Sequence, residues 1–268
     1  HLPESPQAIL CSSGRELIYD FCKKYHVNFR QAGKLIVATE EMYIPWLKGV
    51  KENAYLNDVP GLEIISGKKA QDIEPNLECE AALVSPRSGI IDTHQLMLAY
   101  IGIGEANGFS ISYKTKVLSI IPISNGFRVD FETDDNEIIQ LECDILINSG
   151  GLWADDIANR IEGFPKELIP KVHYAWGAFY TYKGKAPFKH LIVPEPDNWR
   201  NGGIYTMDLG GGSKFGPDEF WVKKIDYGIK NLDMDHVYNS VRSYFKLLPE
   251  NSLSPDYAGI RTRLNGPS

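Results

Sequence analysis

The spacing of apolar positions predicts that the chain opens with an amphipathic helix, followed by a strand and a second helix. Over residues 5–24, apolar side chains such as Leu17 and Phe21 recur mostly at the spacing of one helix face. Residues 33–39 form a short β-branched run opened by a glycine, which favours a strand, and residues 40–53 have helical character.

Two more helices are predicted before the middle of the chain. A short one at residues 67–74 should end before Pro75, because the residue before a proline disfavours the helical region. Asp92 or Thr93 can cap the next one, and Gly108 supplies its C-terminal stop.

From residue 110 onward the pattern predicts mostly strands, separated by short polar turns. They are expected at about 110–114, 116–122, 127–132, 137–141, 143–148, 171–182, 190–193, 203–208 and 213–216. The run from Asp144 to Asn148 is almost continuously apolar, which is typical of a strand buried in a parallel sheet, and it leads into a helix ending near Ile161. A last helix is predicted at 234–247. The fold class is therefore α/β to α+β, with mixed sheets.

Composition narrows the class of partner. The 268 residues are 43% hydrophobic and 24% charged, and no apolar run approaches the roughly 18 to 20 residues that span a bilayer, so no transmembrane segment is expected. A net charge of −7 argues against a nucleic-acid partner, which would need clustered Lys and Arg. The four cysteines lack C-x-x-C spacing and indicate reduced thiols in a cytosol-like compartment.

One strand-turn-helix segment is a candidate ligand site. After the apolar run, Gly150 and Gly151 stand where the backbone can approach another group closely, at the carboxyl edge of a sheet. A tight strand-to-helix turn would explain the same glycines. The glycines at 102–108 resemble a nucleotide loop only superficially, because they fall within or at the end of a helix rather than at its start.

Three charged or titratable residues have both a chemical and an ordinary interpretation. Arg261 follows Gly259 in an apolar context, which suits bidentate capture of a carboxylate but also a surface ion pair. His94, near Asp92, could act as a general base, or could cap or pack the helix. Asp208, before three glycines, favours a hairpin turn over a phosphate or metal site, and no metal is predicted.

An ordered series of short motifs carries a family resemblance along nearly the whole chain. They are CSSGRELIY at 11–19, GKLIVA at 33–38, SGIIDTH at 88–94, INSGGLWAD at 147–155, FGPD at 215–218 and YAGIR at 257–261. Together they resemble the D-amino-acid-oxidase-like family of FAD-dependent oxidoreductases, and within it the branch of L-2-hydroxyglutarate dehydrogenases or oxidases. Each motif alone is modest, and the series is more specific for the family than for the substrate.

The resemblance implies roles for particular residues. It places an FAD against Gly150, Gly151, Leu152 and Trp153. Its adenine would touch the backbone at Val117.

The same resemblance implies a substrate side. Gly259 and Ile260 would lie by the flavin ring, and Arg261 would bind the substrate carboxylate. Tyr180 and Tyr205 would line the pocket, and His94 or Tyr205 would assist deprotonation.

The chain also departs from the family pattern. The N-terminal strand with its G-x-G-x-x-G turn, and the strand and glycine-rich helix start after the arginine, are not found in it. Thr262 stands where the family has a proline, and Ile204 where relatives carry a histidine. We therefore expect both ends to be cut, with an incomplete Rossmann-like FAD-binding domain that lacks its N-terminal βαβ unit, beside a mixed-sheet substrate domain.

The expected domains interleave. The partial FAD-binding domain comprises residues 1–32, 86–165 and 248–268, and the substrate-binding domain comprises 33–85 and 166–247.

The implied activity is FAD-dependent oxidation of a small 2-hydroxy acid, similar to L-2-hydroxyglutarate, to the 2-oxo acid, with an unknown electron acceptor. We expect the intact protein to be cytoplasmic or peripheral at the inner membrane, and this chain alone to be inactive. The alternatives are a glycine- or sarcosine-type amino-acid oxidase, a glycerol-3-phosphate dehydrogenase, or, from another class, a non-catalytic fragment of a truncated or split gene.

Overall fold

The structure is a computed structural model that describes residues 1–196, 202–230, 232–264 and 266. Its contacts divide the chain into two compact units. The first unit comprises His1–Ile103, Gly177–Glu219 and Gly228–Ala258, and the second comprises Gly104–Trp176, Phe220–Tyr227 and Gly259–Ser268.

This division differs from the domains expected from the sequence, which separated residues 1–32 from 33–85. In the structure the first helix lies in the same unit as residues 33–85, and its Ser12 Oγ donates a hydrogen bond of 2.8 Å to the Asn57 carbonyl.

The helices mostly follow the predicted pattern. In the described residues they are α1 (Pro6–Tyr25), α2 (Ile44–Tyr55), α3 (Gly67–Ile73), α4 (Thr93–Ala106), α5 (Ala154–Asn159) and α6 (Met234–Arg242), with 3-10 turns at Glu41–Tyr43, Gly151–Trp153 and Lys166–Leu168. The α6 helix is shorter than the expected 234–247: it ends at Arg242, and Tyr244 and Phe245 beyond it are buried in the core.

Capping residues set the helix starts. Ser5 accepts a hydrogen bond from the Ala8 amide, and Pro6 occupies the first turn of α1, where its missing N–H costs nothing. Asp92 Oδ1 accepts from the Gln95 amide at 2.9 Å, which makes Asp92 the side chain that caps α4.

The strands form one large sheet and two small ones among the described residues. They are β1 (Phe29–Arg30), β2 (Lys34–Ala38), β3 (Glu63–Ser66), β4 (Ala81–Ser85), β5 (Ile90–Ile91), β6 (Lys116–Ile123), β7 (Gly126–Glu132), β8 (Ile138–Cys143), β9 (His173–Tyr182), β10 (Leu191–Pro194), β11 (Tyr205–Met207), β12 (Ser213–Val222) and β13 (Leu253–Arg263). The large sheet has the order β13-β9-β12-β11-β10-β2-β4-β3. Because β10 and β2 run parallel whereas β2 and β4 run antiparallel, this sheet is mixed, as expected.

The core of the first unit lies on both faces of β2. Leu35 and Val37 are fully buried on one face. On the other face, Ala38 joins Leu47 of α2 and Leu83 of β4 in an apolar cluster. Truncating a fully buried leucine such as Leu47 to alanine would cost about 2–5 kcal/mol.

The second unit contains the antiparallel meander β6-β7-β8. The strand expected at 110–114 is wrong, since the chain turns there: Phe109 folds back onto Gly104, and Lys114 has a φ of 52°.

The strand expected at 144–148 is also wrong. Ile145 and Ile147 are 79% and 80% exposed, and within the described residues no strand pairs with this segment. A continuous apolar run forms a strand of a parallel sheet only where other segments pack against both of its faces.

Two absences hold for the part of the chain that the structure describes. None of its helices has the length and apolar character needed to cross a membrane. Nor does it bring three or more His, Cys, Asp or Glu side chains together in a way that could hold a metal ion.

Candidate cofactor and substrate site

The turn after Asn148 is built by that side chain. Asn148 Oδ1 accepts a hydrogen bond of 3.1 Å from the Gly150 amide, and its Nδ2 donates at 2.7 Å to the Ala154 carbonyl. A Cβ on Gly150 would lie 2.5 Å from Ile157 Cδ1, so a larger residue here would force the Ile157 side chain to move. The Asn148 side chain therefore clamps the turn to the first residue of α5.

Gly151 faces open space. Its φ is +55°, which disfavours any side chain, and a Cβ built on it would meet nothing within 4 Å. Leu152 and Trp153 follow in the 3-10 turn, and Trp153 is 54% exposed. The surface of this turn is thus glycine backbone beside an exposed indole, which another molecule could approach closely.

Tyr174 of β9 supports the turn from the protein side. Its hydroxyl donates a hydrogen bond of 3.1 Å to the Leu152 carbonyl. Burial, followed by the charges of Asp155 and Asp156, raises the pKa of Tyr174 above its ordinary value. The phenol therefore stays protonated and keeps donating at neutral pH.

Val117 lies in β6 of the same unit. It pairs with Phe131 of β7, and the register shifts between Val117 and Ser119. Such a bulge turns the local backbone out of the regular ladder. The candidate contact at Val117 therefore stands at an irregular place in the meander, and the family resemblance, not its apolar pattern, pointed to it.

Arg261 occupies an open strand position near the end of β13. The residue is exposed, and Gly259 and Arg261 share one face of the strand because side chains alternate. A Cβ on Gly259 would meet nothing within 4 Å. Ile260, which points to the other face, is half-buried.

All residues that the resemblance assigns to the cofactor lie in the second unit, together with Arg261. His94, Tyr180 and Tyr205, the remaining candidates, lie in the first unit.

Tyr205 is a core residue. It is fully buried, its hydroxyl donates at 3.1 Å to the Phe188 carbonyl, and it lies 3.0 Å from Ser213 Oγ. Burial raises the pKa of Tyr205, which keeps the phenol neutral. Its ring packs edge-on against Phe188 and tilted against Phe215. These contacts argue against the lining and proton-transfer roles predicted from the sequence.

Tyr180 is also fully buried, with its hydroxyl 3.5 Å from Asp218 Oδ2, a carboxylate that is itself buried. This placement likewise favours a packing role. The aromatic pattern of alternating strand residues did not distinguish a pocket wall from a core.

His94 is exposed in the first turn of α4. Asp92, not His94, caps that helix, so the capping interpretation of His94 is wrong. Asp208 closes the hairpin between β11 and β12, accepting from the Gly212 amide at 2.8 Å, as the hairpin interpretation predicted. The glycines at 102 and 104 lie inside α4, which confirms that they form no nucleotide loop.

Sequence reasoning missed a polar cluster on the large sheet. Asp256 Oδ2 accepts hydrogen bonds from Lys214 Nζ at 2.5 Å and from Thr181 Oγ1 at 2.9 Å. Lys214 also lies over the Tyr257 ring at 4.8 Å, and Tyr257 stacks on Phe179. These residues come from three distant segments, so no local sequence signal pairs them.

Comparison with known proteins identifies the family. The family model described as FAD-dependent oxidoreductase matches residues 1–267. The mitochondrial L-2-hydroxyglutarate dehydrogenase of Arabidopsis thaliana is 33% identical over 99% of this chain and 63% of its own length. The glycerol 3-phosphate dehydrogenase of Caloramator mitchellensis is 25% identical over 97% of this chain and 54% of its own. The chain thus spans between half and two thirds of these curated relatives.

Solved structures show the same fold at lower identity. The L-alpha-glycerophosphate oxidase of Mycoplasma pneumoniae, solved with FAD bound, superposes with a TM-score of 0.84 at 18% identity, covering 98% of this chain and 69% of that one. The glycine oxidase of Geobacillus kaustophilus gives a TM-score of 0.79 at 15% identity, with the same coverage.

Proposed function

Because the chain belongs to the family of FAD-dependent oxidoreductases, we propose that the whole protein oxidises a small 2-hydroxy carboxylate of the L-2-hydroxyglutarate type to the corresponding 2-oxo acid. The observation that carries this proposal is the likeness to the plant L-2-hydroxyglutarate dehydrogenase along nearly the entire chain. FAD, when bound, supplies the acceptor for the two electrons that leave the substrate.

The turn at Gly150–Trp153 fits an FAD contact. The open space at Gly151 and the exposed indole of Trp153 leave backbone and ring accessible on one surface. A side chain at Gly151 would project into the space that a ligand needs, whereas glycine leaves it clear. We assign this turn, with Val117, Gly259 and Ile260, to cofactor binding.

Arg261 is the residue we assign to the substrate carboxylate. A guanidinium offers two parallel N–H donors to a carboxylate, and Gly259 on the same strand face leaves room beside it. Arg261 would hold and orient the substrate, which lowers the entropic part of the barrier. Of the first-unit candidates, exposed His94 is the one we retain as a proton acceptor.

The test uses the whole protein purified with FAD. Under anaerobic conditions, L-2-hydroxyglutarate should bleach the flavin absorbance, while D-2-hydroxyglutarate and glycine should not. Replacing Arg261 with methionine should raise the substrate concentration for half-maximal reduction at least about tenfold, which corresponds to about 1.4 kcal/mol. Arg263→Met, on the same strand, removes an equal charge and serves as the control.

Three results would count against the proposal. An unchanged half-maximal concentration in Arg261→Met would remove this residue from the site. An equal change in Arg263→Met would show a general charge effect. A whole protein that retains no FAD would support the non-catalytic alternative.

Glycerol 3-phosphate is the second candidate substrate. It is favoured by the relative from Caloramator mitchellensis and by the fold shared with the glycerophosphate oxidase. Bleaching by glycerol 3-phosphate but not by L-2-hydroxyglutarate would select it.

A further inference from the structure

A cavity of about 250 Å³ lies in the first unit, and none of the residues that line it is assigned to cofactor or substrate. It is bordered by residues of α1, α2, β2 and β4 and of the loop after α2. Most of its wall is apolar, from Ala8, Ile36, Val50, Ala54, Val59 and Leu62. Lys34 and Arg15 contribute positive charge, and none of the lining residues is an Asp or Glu.

Lys34 stands where the sequence pattern calls for an apolar side chain. On β2 it shares a face with Ile36 and Ala38, and Ala38 and Ile36 belong to the apolar cluster beneath α2. Lys34 extends this row from the cluster into the cavity. Lys34 is half-buried there, so its aliphatic stem can pack against the apolar row while its ammonium is partly removed from water.

The ammonium of Lys34 has no counter-ion in the described part of the chain, where it makes no ion pair and no side-chain hydrogen bond. Burial alone lowers the pKa of Lys34. A half-buried charge without a partner is unfavourable, and a ligand that supplies the opposite charge would remove this cost.

Arg15 does not leave the cavity neutral. Its Nε bonds to Glu16 Oε1 at 2.9 Å, but Glu16 Oε2 also accepts from Arg87 at 2.7 Å. One carboxylate thus pairs with two guanidinium groups, and one of these, Arg15, borders the same cavity as Lys34.

The larger cavity of the first unit lacks this imbalance. It measures about 350 Å³ and is lined by groups of both signs, among them Lys246 and Glu78, which pair at 2.7 Å. Lys246 thus already has a counter-ion in the wall of that cavity, which Lys34 does not have in its own.

We propose that the Lys34 cavity is a second ligand site, which takes a small carboxylate with an apolar body and uses Lys34 as its counter-ion. The apolar wall would cover the body of the ligand, and the amides of Asn53 and Asn57 border the same space. The volume lies below the roughly 300–1,000 Å³ of sites for drug-sized ligands, so a short-chain acid fits the site. The proposal is independent of the proposed redox function.

The test measures binding of hexanoate to the chain by isothermal titration calorimetry, with hexanamide as an uncharged probe of the same shape. Hexanoate should bind at least about tenfold more tightly than hexanamide, a difference of about 1.4 kcal/mol. Equal affinities, or no binding of hexanoate at millimolar concentration, would overturn the proposal without any variant being made.

Variants then locate the site. Lys34→Met keeps the length of the side chain and should reduce hexanoate affinity to that of hexanamide, while Lys34→Arg should retain most of it. Lys48→Met, on the exposed side of α2, is the matched control and should bind hexanoate normally. Loss of binding in Lys48→Met, or full binding in Lys34→Met, would place hexanoate elsewhere and overturn the proposal. Neither FAD nor turnover is needed, so the result is separate from that of the redox assay.

Discussion

The Lys214 ammonium lies 2.5 Å from the Asp256 carboxylate, although β12 and β13, which carry them, are separated in the sheet by β9. Thr181 of β9 donates to the same carboxylate oxygen. These hydrogen bonds, with Lys214 contributing most, lower the pKa of Asp256, and the bond to Asp256 raises the pKa of Lys214. One carboxylate therefore links three strands of the sheet.

We predict that Asp256→Asn lowers the free energy of unfolding by about 0.5–1 kcal/mol at pH 7, since the pair is only partly exposed. An aspartate whose pKa is lower in the folded state stabilises the fold fully above its ordinary pKa of about 3.9, and this contribution is lost as the pH falls through the folded value. The difference between wild type and variant, measured by urea unfolding, should therefore shrink below about pH 4.

Asp72→Asn, at an exposed position of α3, is the control for removing a carboxylate. It should leave the free energy of unfolding unchanged within about 0.5 kcal/mol at either pH. A variant of Asp256 that behaves like this control at pH 7 would show that the pair contributes nothing.

A buried carboxylate in the first unit gives a larger expected effect. Glu74 is 1% exposed, and its Oε1 accepts from the Lys189 and His190 amides at 2.8 Å each and contacts His190 Nδ1 at 2.6 Å. Glu74→Ala leaves these groups without their acceptor and should cost about 1–3 kcal/mol in guanidinium unfolding. Glu74→Gln keeps one carbonyl oxygen and should cost less.

Glu52→Ala, at an exposed position of α2, is the control for the loss of a glutamate side chain. If Glu74→Ala were as stable as Glu52→Ala, the three contacts of Glu74 would not stabilise the loop before β10.

Tyr205 of β11 is predicted from the sequence to line the substrate pocket, whereas the structure places it in the core. Because the Tyr205 hydroxyl is buried against Phe188 and Ser213, Tyr205→Phe should cost about 1 kcal/mol of unfolding free energy. The rate of flavin reduction by L-2-hydroxyglutarate in the whole protein should stay within about twofold of the wild-type rate. A tenfold slower reaction would require the activation barrier to rise by about 1.4 kcal/mol. Tyr55→Phe, at a largely exposed tyrosine, should change neither quantity. A tenfold slower reduction with unchanged stability would return Tyr205 to the active site.

The sequence was informative where local physics decides the outcome. The start of α1 follows from Ser5 and Pro6, and the Asp208 hairpin follows from its three glycines. The sequence pattern was not informative where the structure of a segment depends on which other segments pack against it. The apolar run at 144–148 has the composition of a buried strand, but the structure leaves Ile145 and Ile147 exposed because no strand in the described residues lies beside them.

The candidate site shows the same limit. Motifs pointed to Gly150–Trp153 and Arg261, and the structure places Gly151 beside open space and leaves Trp153 and Arg261 exposed. Tyr180 and Tyr205 were chosen as aromatic strand residues, but both are fully buried, with Tyr205 packed against the Phe188 ring. Distant segments decide which face of a strand is buried, so the sequence of the strand alone does not predict it.

The glycine turn permits the sharpest test of cofactor binding, because the second unit holds a matched pair of glycines. Gly151 and Gly163 have φ values of +55° and +71°, and a Cβ on either would meet nothing within 4 Å. Alanine at each position therefore introduces the same backbone strain, about 1 kcal/mol, and no internal clash. Only Gly151 lies on the surface that we assign to FAD.

In the whole protein, Gly151→Ala should raise the dissociation constant for FAD at least about tenfold, or 1.4 kcal/mol, when apoprotein is titrated with the cofactor. Gly163→Ala should lose the same unfolding free energy but bind FAD as the wild type does. Equal weakening in both variants would trace the effect to strain, and normal binding in Gly151→Ala would remove this turn from the cofactor site.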